Sequence, residues 1–367
     1  MEIHRLAIVS VLVYLVLILC YILQKNGFLA RLGLKLNTSF SEVYLDHNNN
    51  PPSTNNETEI NIALVVCGDR YNESMNMIKS AIIFNQNQYP LKFIVIAEEQ
   101  LKQNFVADLT DWQENNTNIF KFELHSPAFP SEHENQWKAL FKPCSVQRLF
   151  FPSLLANIDS VLYVDTDIIF LSPVHELWSK FHKFNSSQFA GLAPEQEYRE
   201  AGWYNRFAQH PYYGELGANT GTMLMNLTRM RDFKFEEQIM LIYKKYQSKI
   251  VFGDQDILNI LFHDNPDRLY VFPCEWNYRP DHCMFKDVCE APDGIKIIHG
   301  NRGYFHTQEQ PIFSLFYKAV DEYTFGTDIN SNFFQKINNS LVLPSESLCD
   351  MLLEKFLQGS LNYFKHK

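Results

Sequence analysis

Residues 160–173 read SVLYVDTDIIFLSP, so two aspartates, Asp165 and Asp167, stand one residue apart at the end of an apolar run. On its own, D-x-D reads most simply as a solvated surface turn. Here apolar residues flank the pair on both sides, which puts it near the buried edge of a sheet, where unneutralised carboxylates are costly. A hard divalent cation such as Mn²⁺ or Mg²⁺ would supply the missing positive charge. Such ions take oxygen ligands and keep positions open for phosphate oxygens. His299 ends a second apolar run, IKIIH, and is a third candidate ligand, with a satisfied polar cap at a strand end as the alternative. Gly300 and Gly303 follow it and permit close backbone approach to a diphosphate. The third feature is GDQDILN at 253–259. Asp254 could be a helix N-cap there, with acidic residues favoured in the first turn, but that leaves Gln255 unexplained.

The elements around these residues set where they stand. Ile60–Cys67 and Leu91–Ala97 read as buried strands, with helical patterns over Tyr71–Phe84 and Glu98–Leu109. The alternation continues through a strand at Phe120–Leu124, a helix at Cys144–Asn157 and a strand at Val161–Val164. This rhythm predicts an α/β fold, a largely parallel sheet with helices on both faces. Such sheets place ligands beyond the carboxyl ends of their strands, where Asp165 and Asp167 stand. Residues 195–221 show no period and read as a long surface loop, functional by its five Tyr and Trp residues. A strand over Thr222–Leu227 and one long helix to about Gln247 follow.

The 367 residues carry 46% hydrophobic side chains, ample for a sizeable core, and a net charge of −10. Without clustered Lys and Arg, binding to nucleic acid is disfavoured. Leu6–Leu23 is an uncharged apolar run; as a helix it would be about 27 Å long, enough for a thin bilayer. No small-residue cleavage pattern follows, so an uncleaved anchor is expected rather than a signal peptide. The expected order is a short tail (1–5), a signal anchor (6–23), a flexible stem (24–59) and one catalytic domain (60–367). Basic residues on both sides of the run leave its orientation open by the charge rule. Sequons at Asn37, Asn56, Asn72, Asn115, Asn185, Asn226 and Asn338 fit a lumenal body. The six cysteines after the run suit disulfides in an oxidising compartment, with a metal site at Cys274, Cys283 and Cys289 as the alternative. The sequence does not choose among the pairings.

VLYVDTDIIF, GANTGTMLMNL, GDQDILN and HGNRG, in this order, resemble the retaining nucleotide-sugar glycosyltransferases of the glycogenin and bacterial galactosyltransferase group. FKPCSVQRLFFP, CEWNYRPDHC and HGNRGYFH are similar to the glucoside xylosyltransferases, which extend O-linked glucose on EGF-like repeats. The likeness runs from about Ile60 to about Tyr317. It implies a GT-A-type Rossmann-like mixed sheet, with Asp165, Asp167 and His299 holding Mn²⁺ against the diphosphate of UDP-xylose. Cys67, Gly68 and Asp69 would face uracil and ribose, and Arg148 would reach the donor. Thr166 and Gly300 complete the donor-binding set, while Asn219, Gly221 and Asp254 would line the donor sugar and the acceptor approach. Gln255 matches a position read either as nucleophile or as stabiliser. The group's lysine after the histidine-glycine motif is missing here, so Arg302 or His306 would supply that charge.

The reaction so implied moves xylose, in α-1,3 linkage, onto O-linked β-glucose of EGF-like repeats in Notch-type proteins. It would proceed from an endoplasmic reticulum or Golgi membrane, in type II orientation. Gln255 is an amide and a poor nucleophile, which favours attack by the acceptor hydroxyl on the face that UDP leaves. Acceptor contacts are expected from residues 195–217 and from Trp276–Arg279. The alternatives are a hexosyltransferase using UDP-glucose or UDP-galactose, and a non-catalytic carbohydrate binder stacking sugars on Trp203, Tyr204, Trp276 and Tyr278. A phosphatase with an aspartyl nucleophile also opens on D-x-D after an apolar strand. It fits poorly, because Ile169 stands where it needs a small Thr or Val and Leu258 where it needs an acid.

Overall fold

In the computed structural model the described residues are 59–365, apart from 87, 116–119, 132–133, 141–143, 145 and 341–346. The expected anchor, and all of the stem but its last residue, lie outside them. Runs of apolar residues form β1 (Ile60–Val66), β2 (Leu91–Ala97), β3 (Phe120–His125) and β4 (Ser160–Val164). These four pair in parallel in the order β3-β2-β1-β4, with α1 (Tyr71–Asn85) and α2 (Glu99–Asn115) as crossovers. Beyond β4 the sheet turns mixed. β7 (Ala218–Asn226) runs antiparallel to β4, β6 (Ala190–Pro194) antiparallel to β7, and β8 (Leu269–Val271) parallel to β6.

Both faces of the sheet are covered, which is why its strands are apolar almost without alternation. Ala63, Ile94, Tyr163 and Met223 face α3 (Phe235–Tyr246) and α4 (Asp254–Asp264). Ile62, Leu64, Phe93 and Val164 pack with Ile78 and Ala81 of α1 and Phe105 of α2. At about 1.5–3 kcal/mol for each large side chain fully buried, these two layers hold the strand ends in place.

A two-stranded sheet of β5 (Ile168–Phe170) and β9 (Ile297–His299) continues from the turn after β4. A third core packs against it, with α5 (Pro311–Glu322) and α6 (Leu353–Lys365). Cys274–Cys289 and Cys283–Cys349 are disulfides within that core, so the metal alternative for these cysteines falls away. Cys67 pairs with Cys144 and ties the end of β1 to the chain that leads to Arg148.

Three expectations are corrected. The helix over Cys144–Asn157 is instead a 3₁₀ turn (Gln147–Phe150) and one short α-turn (Phe151–Leu154), since Pro152 suits a first turn but not a helix interior. The long helix after β7 is broken at Lys234, whose φ of 57° is left-handed. Residues 195–221 are not a surface loop throughout. Glu195, Glu197, Tyr204 and His210 are buried, and residues 218–221 belong to β7.

Candidate active site

The site forms at the end of β4, beside β1, the point at which the strand order reverses and where sheets of this kind bind ligands. β4 ends at Val164, and the Asp165 N–H donates to the Gly221 carbonyl at 2.8 Å, fixing the turn against β7. The Asp167 carbonyl accepts from the Gly300 N–H at 2.8 Å, and Ile168 stands opposite His299 in the β5–β9 register. Strand pairing therefore brings the three candidate ligands together. His299 Nε2 is 3.3 Å from Asp167 Oδ1 and 3.8 Å from Asp165 Oδ2. One ligand atom from each of the three lies within 4.8 Å of the other two.

The imidazole is oriented from behind. Asn277 donates its amide N–H to Asn219 Oδ1 at 2.7 Å, so its own oxygen faces His299 Nδ1 at 2.9 Å. Nδ1 then carries the proton, and the Nε2 lone pair points at the two carboxylates, as metal-ligating histidines require. The donor set of two carboxylates and one imidazole fits a divalent cation. Gly221 is required by space, because a Cβ there would lie 2.3 Å from His299 Cε1.

Arg148 is a buried strut rather than an open cation. It ion-pairs with Asp254 through Nε, lies 3.1 Å from Asp165 Oδ1, donates to the Thr220 carbonyl and stacks 3.9 Å from the Tyr163 ring centroid. The Tyr163 hydroxyl donates to Asp165 at 2.7 Å. Asp254 is the first residue of α4; Gly253 occupies the cap position, so the N-cap reading of Asp254 is replaced by this ion pair. Burial pushes the Asp254 carboxyl up to about 6, against the pull of Arg148.

Gln255 points its Nε2 at Glu195 Oε1, 2.7 Å away. Its oxygen lies 3.4 Å from Asn219 Nδ2 and 3.5 Å from Thr220 N. Asn219 is a hub, donating to Glu195 at 3.1 Å and accepting from the Gly221 N–H at 3.0 Å. Burial raises the Glu195 carboxyl above the ordinary glutamate value, against the pull of Arg279.

The other expected residues stand around this centre. Cys67 is in its disulfide, Gly68 donates its N–H to Glu98 at 2.9 Å, and the Asp69 side chain is 98% exposed at the end of β1. The Thr166 hydroxyl is 3.4 Å from Glu73, which also holds Arg70 and, at 2.7 Å, His306 Nε2. Gly300 packs under Phe305, and Arg302 is held by Asp281 at 2.6 Å. Of the four aromatics expected to stack sugars, Trp203 is exposed, while Tyr204, Trp276 and Tyr278 are core residues. Burial of Trp276–Arg279 likewise removes that segment from the expected acceptor contacts. Glu195, Asn277 and Arg279 were not singled out by sequence pattern. They lay only within the two segments expected to meet the acceptor, 195–217 for Glu195 and Trp276–Arg279 for the other two, neither of which has a helical or strand period.

The model of glycosyl transferase family 8 matches residues 55–303. Glucoside xylosyltransferase 2 of Xenopus laevis is 41% identical, over 90% of this chain and 80% of its own length. Glucoside xylosyltransferase 1 of Homo sapiens is 45% identical, over 82% of this chain and 70% of its own. Among solved structures, apo mouse xyloside xylosyltransferase 1 superposes with a TM-score of 0.51 at 19% identity, covering 67% of this chain and 98% of its own. The galactosyltransferase LgtC, in complex with donor and acceptor sugar analogs, gives 0.53 at 16%, over 78% and 98%. At such identities the two structures establish a shared fold.

Proposed function

The chain belongs to glycosyl transferase family 8, and from that membership we propose that it moves xylose from UDP-xylose, in α-1,3 linkage, to O-linked β-glucose on EGF-like repeats. The reading is supported by relatives 41–46% identical that carry the name glucoside xylosyltransferase. The observation that carries it is the convergence of Asp165, Asp167 and His299, linked through Asn277 and Asn219 to the Gln255 amide.

Asp165, Asp167 and His299 would hold Mn²⁺, whose charge offsets the one that builds on the departing diphosphate. The protein's own groups do the rest. Arg302 or His306 supplies the charge that the family's lysine provides; each is paired in the structure, Arg302 with Asp281 at 2.6 Å and His306 with Glu73 at 2.7 Å. Asp254 and Asn219 meet the sugar hydroxyls, and Cys67–Asp69 lines the nucleoside. The acceptor hydroxyl attacks the anomeric carbon on the face that UDP leaves, and its proton passes to the departing diphosphate oxygen. The Gln255 carbonyl stabilises the positive charge that develops on the sugar. The exposed pair Trp203 and Phe207, with ring centroids 4.5 Å apart, offers the acceptor an apolar platform.

Residues 6–23 anchor the chain in an endoplasmic reticulum or Golgi membrane, with 60–367 in the lumen. The apolar run, the spread of sequons and three disulfides that use every cysteine after the run support this placement.

The test incubates the full chain with Mn²⁺, an O-glucosylated EGF-like repeat and UDP-xylose, UDP-glucose or UDP-galactose in parallel. A pentose mass added from UDP-xylose alone, and lost in Asp167→Asn, is the expected result. A hexose added instead would refute the donor assignment.

A further inference from the structure

We propose that Glu195 is a positioning residue that decides which end of the Gln255 amide faces the reacting sugar. The proposal rests on the transferase reading above and deepens its account of Gln255. Glu195 follows β6 directly and is 1% exposed. Its Oε1 meets Gln255 Nε2 at 2.7 Å and Asn219 Nδ2 at 3.1 Å, while Oε2 pairs with a guanidinium nitrogen of Arg279. Every partner is a donor, which is what an ionised carboxylate, holding lone pairs only, can satisfy.

An amide offers two nearly isosteric ends, and its orientation depends on what it meets. The Glu195 carboxylate removes that freedom twice. Asn219 must turn its NH₂ toward Glu195, and its oxygen then accepts from Gly221 and Asn277, as observed. Gln255 must do the same, which leaves Oε1 on the β7 side. There its contacts are all long, 3.4 Å to Asn219 Nδ2 and 3.5 Å each to Thr220 N and Oγ1. The oxygen is held in place but weakly engaged, so its lone pairs remain to meet an electron-poor carbon.

Charge acts in the same direction. Arg279 is shared among Glu195, Glu197 at 3.3 Å and Asp281 at 3.6 Å, and Asp281 also binds Arg302 at 2.6 Å. Three carboxylates thus share two guanidinium groups, a net charge of −1 over the cluster, and Glu195 is the member that touches the Gln255 NH₂. A negative charge at that end polarises the amide and strengthens its oxygen as a partner for positive charge. A purely structural Glu195 would tie residues 195–203 to 277–282 and would leave the contribution of Gln255 untouched.

The experiment is a double-variant cycle on the full chain with Mn²⁺, reading UDP release in the presence of acceptor and UDP affinity by calorimetry. Glu195→Gln can present its own NH₂ to Gln255 and turn the amide round. It should lower kcat about 100-fold, the scale of losing one aimed stabilising group, with donor KM and UDP affinity within about twofold of wild type. In the Gln255→Ala background the same change should slow the reaction no further. Losses that multiply across the cycle would overturn the proposal. If Glu195→Gln loses UDP binding outright, Glu195→Asp takes its place; it keeps the Arg279 partner but draws the carboxylate back from Gln255. Wild-type kcat in Glu195→Asp would overturn the proposal equally. Should wild type consume UDP-glucose or UDP-galactose instead of UDP-xylose, the donor assignment falls, and the cycle is read with that donor.

Discussion

Gly221 and His299 compete for one volume: a Cβ on residue 221 would come within 2.3 Å of His299 Cε1 and 2.6 Å of Nδ1. The obstruction is a buried ring, hydrogen-bonded behind to Asn277, and it cannot move aside freely. Gly221→Ala should therefore push the imidazole off the two carboxylates. We expect Mn²⁺-dependent UDP binding to weaken about 10- to 100-fold, the scale seen when a ligand's orientation is lost. Calorimetry with and without Mn²⁺ reads this directly, and unchanged affinity would show that His299 is not a ligand.

Asn277, expected from the sequence only as part of an acceptor-contact segment, holds both the His299 tautomer and Asn219. Replacing it with Ala removes the Nδ1 acceptor and lets the imidazole take either tautomer. Mn²⁺ affinity should fall about 10- to 100-fold. Asn277→Asp keeps an oxygen facing Nδ1 and should retain more affinity than Asn277→Ala. The reverse order would contradict the assigned tautomer.

Arg148 and Asp254 are each 7% exposed at the side chain, so removing one strands the other in a low-dielectric interior. Arg148→Met should lower stability by about 3–5 kcal/mol, measured by urea unfolding. Arg148→Met with Asp254→Leu should recover much of that loss while transfer stays absent. A destabilisation below about 1 kcal/mol in the single variant would mean that solvent reaches the pair, as at exposed ion pairs.

The aspartate pair, His299 and GDQD were legible because each follows or opens a regular element whose period shows in the sequence. Strand ends are visible as the places where apolar runs stop. Glu195, Asn277 and Arg279 were hidden because their roles come from partners far along the chain: Asn277 meets Asn219 from 58 residues away, and Arg279 meets Glu195 from 84. No local period reports such contacts. The start of β7 was missed for a related reason. Residues 218–221 show no period, yet Gly221 is a strand residue made small by the ring of His299. The buried face of 195–221 was hidden too, since Tyr204 and His210 owe their burial to Asp256 on α4, at 2.9 and 3.0 Å.

His282 makes the fold sensitive to acid. Its Nδ1 accepts from the Arg279 N–H at 3.2 Å, while Nε2 faces the Glu195 carbonyl at 3.1 Å and donates to it. A proton on Nδ1 would break the first bond and make the ring a cation whose Nε2 lies 3.5 Å from the Arg279 guanidinium. Burial, with Arg279 behind it, accordingly pulls the imidazole down to about 3 from 6.5. Below pH 6.5 the unfolded chain takes up this proton and the folded chain does not. The contribution is therefore complete above pH 6.5 and is lost as pH falls toward 3. At pH 5 the loss amounts to about 2 kcal/mol. Asp254, raised to about 6, acts in the opposite sense, gaining the folded state stability as pH falls from 6. Wild type alone would blend the two, so the quantity to measure is the stability gap between wild type and His282→Asn. That gap should shrink by about 2 kcal/mol between pH 7 and pH 5. A gap that stays constant would mean that folded His282 takes up its proton as readily as the unfolded chain does.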